Sequence, residues 1–235
     1  MVAAVRVSAV LFDAAGTLIE LREPVGETYA RLARPFGVEL PAWRITDAFG
    51  RIHRRAPPMV FPDAAPEEVE RAERRWWQEI VRETFLATDG TLRFSDFDAY
   101  FESLYRTFAR PESWRRVAGS RQALAALRAQ GLVTGIVSNF DQRLPAILEG
   151  LDLAAFFDVV VLPASVGAAK PDARIFQVAL ERLAKHAAET VYVGDDREHD
   201  LEGARAAGLR AIDAGALATL AELPRRVEAL NRESP

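Results

Sequence analysis

The sequence contains no cysteine, and this absence excludes disulfide bonds, thiolate catalysis and cysteine-ligated metal sites. It also lacks any apolar run long enough to span a membrane. The apolar run before Asp13, in MVAAVRVSAVLFD, is too short for a signal peptide. We therefore expect a cytoplasmic protein that does not bind membranes.

Lysine is scarce. Of the 30 basic residues only Lys170 and Lys185 are lysines, and residues 20–116 contain none. The formal net charge is −4, and the basic residues are scattered along the chain. Because proteins that bind nucleic acids concentrate basic residues in a patch or stripe, we expect no nucleic-acid partner.

The apolar content, 49% of 235 residues, is enough for a sizeable core. SAVLFD, residues 8–13, is apolar on both faces, as a central parallel strand should be. From about residue 117, apolar strands alternate with amphipathic helices, a pattern typical of βαβ units. We predict an α/β fold whose core is a Rossmann-like, doubly wound parallel sheet.

Between the first strand and this alternating region the sequence is helical in character. Residues 24–110 read as amphipathic helices with few β-branched runs, and Ser95 precedes an aromatic-rich stripe as a candidate N-cap. We predict an inserted all-α cap domain at 20–116, within a core domain formed by 1–19 and 117–235. Because an apolar face on the cap could form a dimer interface, both a monomer and a homodimer are compatible with the sequence.

Polar stretches follow the predicted strands of the core. Ligands of doubly wound sheets bind beyond the carboxyl ends of the strands. Each stretch alone is more simply explained as a turn or a helix cap. Together they supply a nucleophile, a hydroxyl donor, a cation and further carboxylates, which suits an anionic substrate held beside a divalent metal. The stretches are Asp13-Ala14-Ala15-Gly16-Thr17, Ser138-Asn139, Lys170-Pro171-Asp172, and Gly194-Asp195-Asp196 with Asp200.

These four motifs, in this order, resemble those of the haloacid dehalogenase (HAD) superfamily with an α-helical cap inserted after the first motif. LREPVGETYARLA and SNFDQRL are similar to the capped group described as HAD-like hydrolases. The resemblance covers nearly the whole chain. It implies that Asp13 is a nucleophile that forms an aspartyl-phosphate, and that Ser138 and Lys170 hold the transferring phosphoryl group.

The resemblance also implies a Mg²⁺ site. Asp13, the backbone carbonyl of Ala15 and the carboxylate of Asp195 would be its ligands, with support through water from Asp200 or, less favoured, Asp196. Hard oxygen ligands suit Mg²⁺, and a metal beside a lysine can offset the repulsion between a carboxylate and a phosphate. Backbone N–H groups near Gly16 and Thr17 can bind phosphate oxygens. Asn139 is implied to contact the substrate by resemblance alone.

Ala15 departs from the family pattern. Related phosphatases usually carry a second Asp at this place, which protonates the leaving alcohol and later activates water. Such help is typically worth about two to four powers of ten in rate, and a methyl group cannot provide it. His53, His199, Glu198 or a cap carboxylate could take over this role, although a capping or solvated position is the simpler interpretation for both histidines.

Two branches of the family also lack that Asp. L-2-haloacid dehalogenases need no metal, but the Asp195, Asp196 and Asp200 cluster would repel a haloacid carboxylate. Phosphonoacetaldehyde hydrolases need a cap lysine, which residues 20–116 do not have. Two hypotheses are left. One is a Mg²⁺-dependent phosphatase or phosphotransferase, weak or restricted to a small phosphorylated or acyl-phosphate substrate. The other is a catalytically impaired binding or regulatory protein on an HAD scaffold.

Overall fold

The computed structural model describes residues 6–232, except for the side chain of Pro66. Residues 1–5 lie outside the described residues, and they include part of the apolar run judged too short for a signal peptide. The last three residues of the predicted core domain also lie outside the described residues. The chain forms two compact units. The core unit comprises the chain up to Glu20 and again from Arg115 onward, and the insert unit is Leu21–Trp114.

A parallel five-stranded sheet forms the centre of the core unit. Its order is β5-β4-β1-β6-β7, and every pairing is parallel. The strands are β1 (Ala9–Phe12), β4 (Val133–Val137), β5 (Val159–Val161), β6 (Thr190–Gly194) and β7 (Arg210–Asp213). A separate two-stranded ribbon joins β2 (Ile19–Leu21) to β3 (Trp114–Arg116), at the two points where the chain passes between the units.

The first strand occupies the middle of the sheet. Leu11 of β1 pairs with Gly135 of β4 on one side and with Tyr192 of β6 on the other. All four residues of β1 are fully buried, which explains why its sequence, AVLF, has no polar face. The chain builds outward on one side of β1 and then returns to the other. The carboxyl end of β1 is therefore the switch point at which such sheets bind ligands.

Helices cover the sheet. The helix α7 (Ala173–Leu183) packs on β4 and β5. Its residues Ile175, Phe176 and Ala179 share a buried cluster with Leu11 and Tyr192. The helix α5 (Ser120–Ala129) packs on β4 and against α9 (Leu223–Arg232). This arrangement confirms the predicted doubly wound α/β core. The core helices are α5 (Ser120–Ala129), α6 (Leu144–Gly150), α7 (Ala173–Leu183), α8 (Gly203–Ala206) and α9 (Leu223–Arg232).

The insert unit is helical, as predicted. Its core is rich in aromatic rings, among them Tyr29, Phe85, Tyr100 and Phe101, because helices with apolar stripes bury those stripes against one another. The candidate N-cap at Ser95 was wrong by one residue, since Asp96 caps the fourth helix by accepting the backbone N–H of Ala99. The helices are α1 (Val25–Ala33), α2 (Ala42–Arg55), α3 (Val69–Thr88) and α4 (Phe97–Phe108).

Among the helices of residues 6–232, none combines the length and the apolar character needed to cross a bilayer.

Candidate active site

The predicted site residues of the core unit gather at the carboxyl edge of its sheet. Asp13 follows β1 directly, and its N–H donates to the carbonyl of Val193 on β6 over 2.8 Å. Ser138 follows β4, and its N–H donates to the carbonyl of Val161 on β5 over 3.2 Å. The sheet's hydrogen bonding thus continues one residue beyond these strands, which fixes the backbone of both residues.

The ammonium of Lys170 lies at the centre of the site. Its Nζ donates to Asp13 Oδ1 over 2.6 Å, to Asp200 Oδ1 over 2.5 Å and to the hydroxyl of Tyr192 over 2.9 Å. Lys170 is only 5% exposed. Burial alone would lower the pKa of Lys170, but Asp13 and Asp200 outweigh this effect and raise it. The lysine is therefore a fixed cation.

Asp13 is buried beside this cation. Burial raises the pKa of the Asp13 carboxyl, the neighbouring Lys170 opposes that rise, and Asp200 adds to it. The nearby hydroxyl of Ser138 also works against the rise in the pKa of Asp13. The structure thus brings together the three residues predicted to be catalytic.

Asp200 organises the loop after β6. Its Oδ2 accepts the backbone N–H groups of Asp195 over 3.1 Å and of Asp196 over 3.0 Å. Its Oδ1 accepts from Lys170 and from Tyr192. Asp200 lies in a π-helical turn, Arg197–Glu202, and this turn places its carboxylate next to the carboxyl end of β6. Asp200 is 1% exposed, so its charge is balanced inside the protein.

Asp195 lies on the solvent side of the cluster. Crowding partly desolvates its carboxyl and raises its pKa, while a hydrogen bond of 2.6 Å from the Thr17 hydroxyl to Oδ1 opposes the shift. Gly16 has a φ of +99°, and a Cβ there would lie 2.4 Å from Asp195 Oδ2. The Gly16-Thr17 turn is therefore shaped around this carboxylate.

Among the backbone hydrogen bonds described for this turn, none uses the carbonyl of Ala15. The turn's hydrogen bonds use the carbonyls of Ala14 and Ile19, to which Leu18, Ile19 and Gly16 donate. One oxygen from each of Asp13, Asp195 and Asp200 lies within 4.8 Å of the others. The arrangement offers a group of hard oxygen donors next to a buried ammonium.

Asn139, for which a substrate contact was predicted, binds the backbone of Lys170. Its Oδ1 accepts the backbone N–H of Lys170 over 2.8 Å, and its Nδ2 donates to the backbone carbonyl of Lys170 over 3.0 Å. Both ends of the amide are used to fasten the lysine's backbone to the end of β4. Asp172, in the same loop, caps α7 by accepting the N–H of Arg174.

The two histidines considered as replacements for the missing acid have other partners. His199 Nδ1 lies 3.0 Å from Asp196 Oδ1, and the same oxygen accepts the backbone N–H of His199 over 2.7 Å. Burial opposes the effect, but these hydrogen bonds lower the pKa of Asp196. In the insert unit, His53 stacks on Phe49 and Trp77. Asp196 and the two histidines therefore have local partners of their own.

Sequence reasoning missed Tyr192. This residue lies within TVYVG, an apolar strand that is buried throughout. Its hydroxyl reaches Lys170, Asp200 and the carbonyl of Val137. The signal was present in the sequence, because a tyrosine in a fully buried strand needs a partner for its hydroxyl.

With this geometry in view, the chain can be compared with known proteins. A sequence model of the haloacid dehalogenase-like hydrolases matches residues 7–208. The chain belongs to this family. As a HAD-like hydrolase it is 37% identical, over 84% of its length and 78% of the relative, to mouse haloacid dehalogenase-like hydrolase domain-containing protein 3.

Solved structures agree with this assignment. A HAD phosphatase from Thermococcus onnurineus is 25% identical to our HAD-like hydrolase, with a TM-score of 0.63, and the match covers 94% of this chain and 97% of that one. A 2-haloacid dehalogenase from Pseudomonas syringae pv. Tomato is 21% identical, with a TM-score of 0.60. That match covers 95% of this chain and 98% of the dehalogenase chain. The second likeness shows the fold alone, since one HAD scaffold supports different chemistries.

Proposed function

We propose that this HAD-like hydrolase is a Mg²⁺-dependent phosphatase or phosphotransferase that acts through an aspartyl-phosphate on Asp13, on a small phosphorylated or acyl-phosphate substrate. The observation that carries the proposal is the 2.6 Å contact between Asp13 and the buried ammonium of Lys170, inside a group of three carboxylates. Similarity to a HAD phosphatase at 25% identity supports it.

The donor set fits Mg²⁺. Carboxylate and carbonyl oxygens are the ligands that this hard cation prefers. Both oxygens of Asp200 already accept hydrogen bonds from the protein, so this residue fits support of the site better than direct ligation. Asp13, Asp195 and the carbonyl of Ala15 would hold the ion. When bound, Mg²⁺ would offset negative charge on the substrate's phosphate.

The chain's own residues account for the two steps. An oxygen of Asp13 attacks phosphorus, the bond from phosphorus to the leaving oxygen breaks, and the leaving group departs with the electron pair. Water then attacks the phosphorus of the aspartyl-phosphate. The bond to Asp13 breaks, the carboxylate is regenerated, and phosphate and a proton are released. Lys170 and Ser138 stabilise the charge on the transferring phosphoryl group.

Ala15 restricts the range of leaving groups. An alkoxide is a poor leaving group unless an acid protonates it, and a methyl side chain supplies no proton. The carboxylate released from an acyl phosphate is stable without protonation. We therefore propose that acyl phosphates and other good leaving groups are the preferred substrates.

A binding or regulatory role is the second candidate, and Ala15 is also the observation that favours it. Without an acid at this position, the same oxygen and ammonium donors would bind a phosphorylated ligand without turning it over efficiently. Turnover, and covalent modification of Asp13, separate the two functions.

The experiment that tests the proposal measures turnover of acyl phosphates and alkyl phosphate monoesters, with Mg²⁺ and with chelator. Asp13→Asn should abolish turnover, whereas Asp152→Asn, a surface change in the same unit, should leave it unchanged. Ala15→Asp should raise turnover of alkyl phosphates by about two to four powers of ten and that of acyl phosphates much less. Ala15→Asn, which has the same shape but no acid, should give no such gain.

Equal activity with chelator would refute the metal dependence. The absence of turnover in both the native chain and Ala15→Asp would refute the phosphatase for this panel and favour the binding protein.

A further inference from the structure

We propose that the hydroxyl of Tyr192 is a positioning group. It holds the ammonium of Lys170 in the orientation in which this ammonium donates a hydrogen bond to Asp13. Its effect on catalysis rests on the proposed function, but its effect on the lysine does not. Tyr192 lies in a strand interior rather than in any of the four motifs.

The first argument is the number of donors. A lysine ammonium has three N–H groups, and three acceptors surround Nζ of Lys170: Asp13, Asp200 and Tyr192. Two of these acceptors are carboxylates and one is neutral. The neutral hydroxyl therefore uses the remaining N–H without adding a third negative charge, and the ammonium has one orientation in which every donor is satisfied.

The second argument is how the hydroxyl itself is held. Tyr192 Oη lies 2.9 Å from the carbonyl of Val137 and 2.9 Å from Asp200 Oδ1. A hydroxyl has one proton, so it donates to one of these oxygens at a time while it accepts from Lys170. The hydroxyl of Tyr192 on β6 thus contacts the last residue of β4, although β1 lies between these two strands in the sheet.

The third argument is the rigidity of the ring. Tyr192 is fully buried, and its ring meets that of Phe176 edge-on, with centroids 5.1 Å apart and planes at 82°. Nζ of Lys170 lies 5.6 Å from the centre of the tyrosine ring. A ring packed in this way cannot follow the lysine if the lysine moves, so it defines the lysine's position rather than adapting to it.

Tyr192→Phe removes the hydroxyl and keeps the ring. One N–H of Lys170 then loses its acceptor, and the ammonium is drawn toward the two carboxylates, which retain their charge. We expect kcat of the proposed reaction to fall about tenfold, in the range of a lost hydrogen bond to a charged group, with KM changed much less. The phosphoryl group must still bind, but its neutralising partner is displaced.

The two lysines of the sequence allow a direct test. Labelling with lysine that carries ¹⁵N at Nζ gives two ammonium signals, one from Lys170 and one from the partly exposed Lys185, whose exchange with water can be measured by NMR. Tyr100→Phe is the matched control, because Tyr100 is also fully buried and lies in the insert unit. The full-length chain is used throughout.

The proposal predicts that Lys170 exchanges more slowly than Lys185 in the native chain. In Tyr192→Phe the Lys170 signal should shift and exchange about tenfold faster, with Lys185 unchanged, and Tyr100→Phe should change neither. An unchanged Lys170 signal in Tyr192→Phe, the same change in Tyr100→Phe, or native Lys170 exchange as fast as that of Lys185 would each overturn it. If the signal changes but the native chain has no turnover, the positioning role holds and the proposed function fails.

Discussion

At the scale of single residues, the site places charges where they cost stability. Lys170, Asp13 and Asp200 are all buried, and taking such groups out of water carries a penalty that their mutual attraction only partly offsets. A buried ion cluster is therefore weak evidence for stability. Its hydrogen bonds to backbone and to Tyr192 instead fix the direction of each group, which is what a site for an anionic substrate requires.

Gly16 allows a prediction at this scale. Gly16→Ala places a methyl group against the Asp195 carboxylate and forces alanine into a left-handed conformation. We expect turnover to fall at least tenfold and apparent Mg²⁺ affinity to weaken. Gly131→Ala is the matched control, since φ is +79° and the space around it is open. Backbone strain should cost both variants about 1 kcal/mol of stability or more, and Gly16→Ala should lose more than Gly131→Ala because its methyl group also meets Asp195. Urea unfolding measures both losses.

Only the Gly16 variant should lose activity and metal affinity. If Gly131→Ala lost as much of both, the effect would come from general strain and not from the contact with Asp195.

At the scale of elements, a second group of polar residues connects β1 and β6 at their amino ends, on the opposite edge of the sheet from the candidate site. Glu189 accepts hydrogen bonds from the Ser8 hydroxyl and from the backbone N–H of His186, and Lys185 Nζ lies 3.8 Å from its Oε2. The Ser8 hydroxyl and the His186 N–H are the main groups that lower the pKa of Glu189 from its ordinary value of 4.5. The network connects the start of the first strand to the turn before β6.

The lowered pKa predicts a pH dependence with a definite sign. A carboxyl with a depressed pKa in the folded state contributes stability that is present above its unfolded pKa and is lost as pH falls through its folded pKa. We expect Glu189→Gln to lower stability at pH 7 by up to about 1 kcal/mol, since solvent screens this partly buried group. The difference from the native chain should shrink below pH 4.5.

Urea unfolding between pH 7 and pH 3.5 measures this difference. Glu222→Gln, at an exposed glutamate of the same unit, should show little effect at any pH. A Glu189→Gln difference that stayed constant down to pH 3.5 would contradict the assignment.

The elements also show how far sequence reasoning reached. Strands and helices of the core were predictable because apolar runs of β-branched residues alternate with amphipathic segments. The motif residues were predictable because parallel strands end at one edge. Asn139 and Tyr192 were not assigned these contacts, since their partners lie 31 and 22 residues from them in sequence. The π-helical turn that places the Asp200 carboxylate beside the end of β6 has no simple sequence signal.

At the scale of the whole molecule, the insert has the features of a self-contained unit. Its aromatic core is formed within Leu21–Trp114, and its two ends meet where the N–H of Arg22 donates to the carbonyl of Ser113 over 3.0 Å. Such a segment buries its own apolar faces and closes its own ends. Its independence is a prediction that can be tested directly.

We expect a peptide of residues 21–114 to be helical and to melt cooperatively, as measured by circular dichroism. Phe85→Ala, which removes a ring that is 3% exposed, should cost about 3–5 kcal/mol and abolish cooperative melting. The neighbouring Leu86→Ala, at a side chain that is 55% exposed, should have little effect. A native peptide without a cooperative transition would show that the insert depends on the core unit.

The central place of β1 in the sheet has a consequence for synthesis on the ribosome. This strand is made first, but its neighbours in the sheet start at Val133 and Thr190. At about 5–20 residues per second, translation reaches Thr190 roughly ten to forty seconds after Phe12. Until Val133–Val137 is made, the apolar AVLF segment has neither of its partners, and until Thr190 is reached it still lacks one of them. Asp13 likewise has no lysine beside it until Lys170 is made. The nascent chain therefore needs protection from aggregation at this fully buried strand.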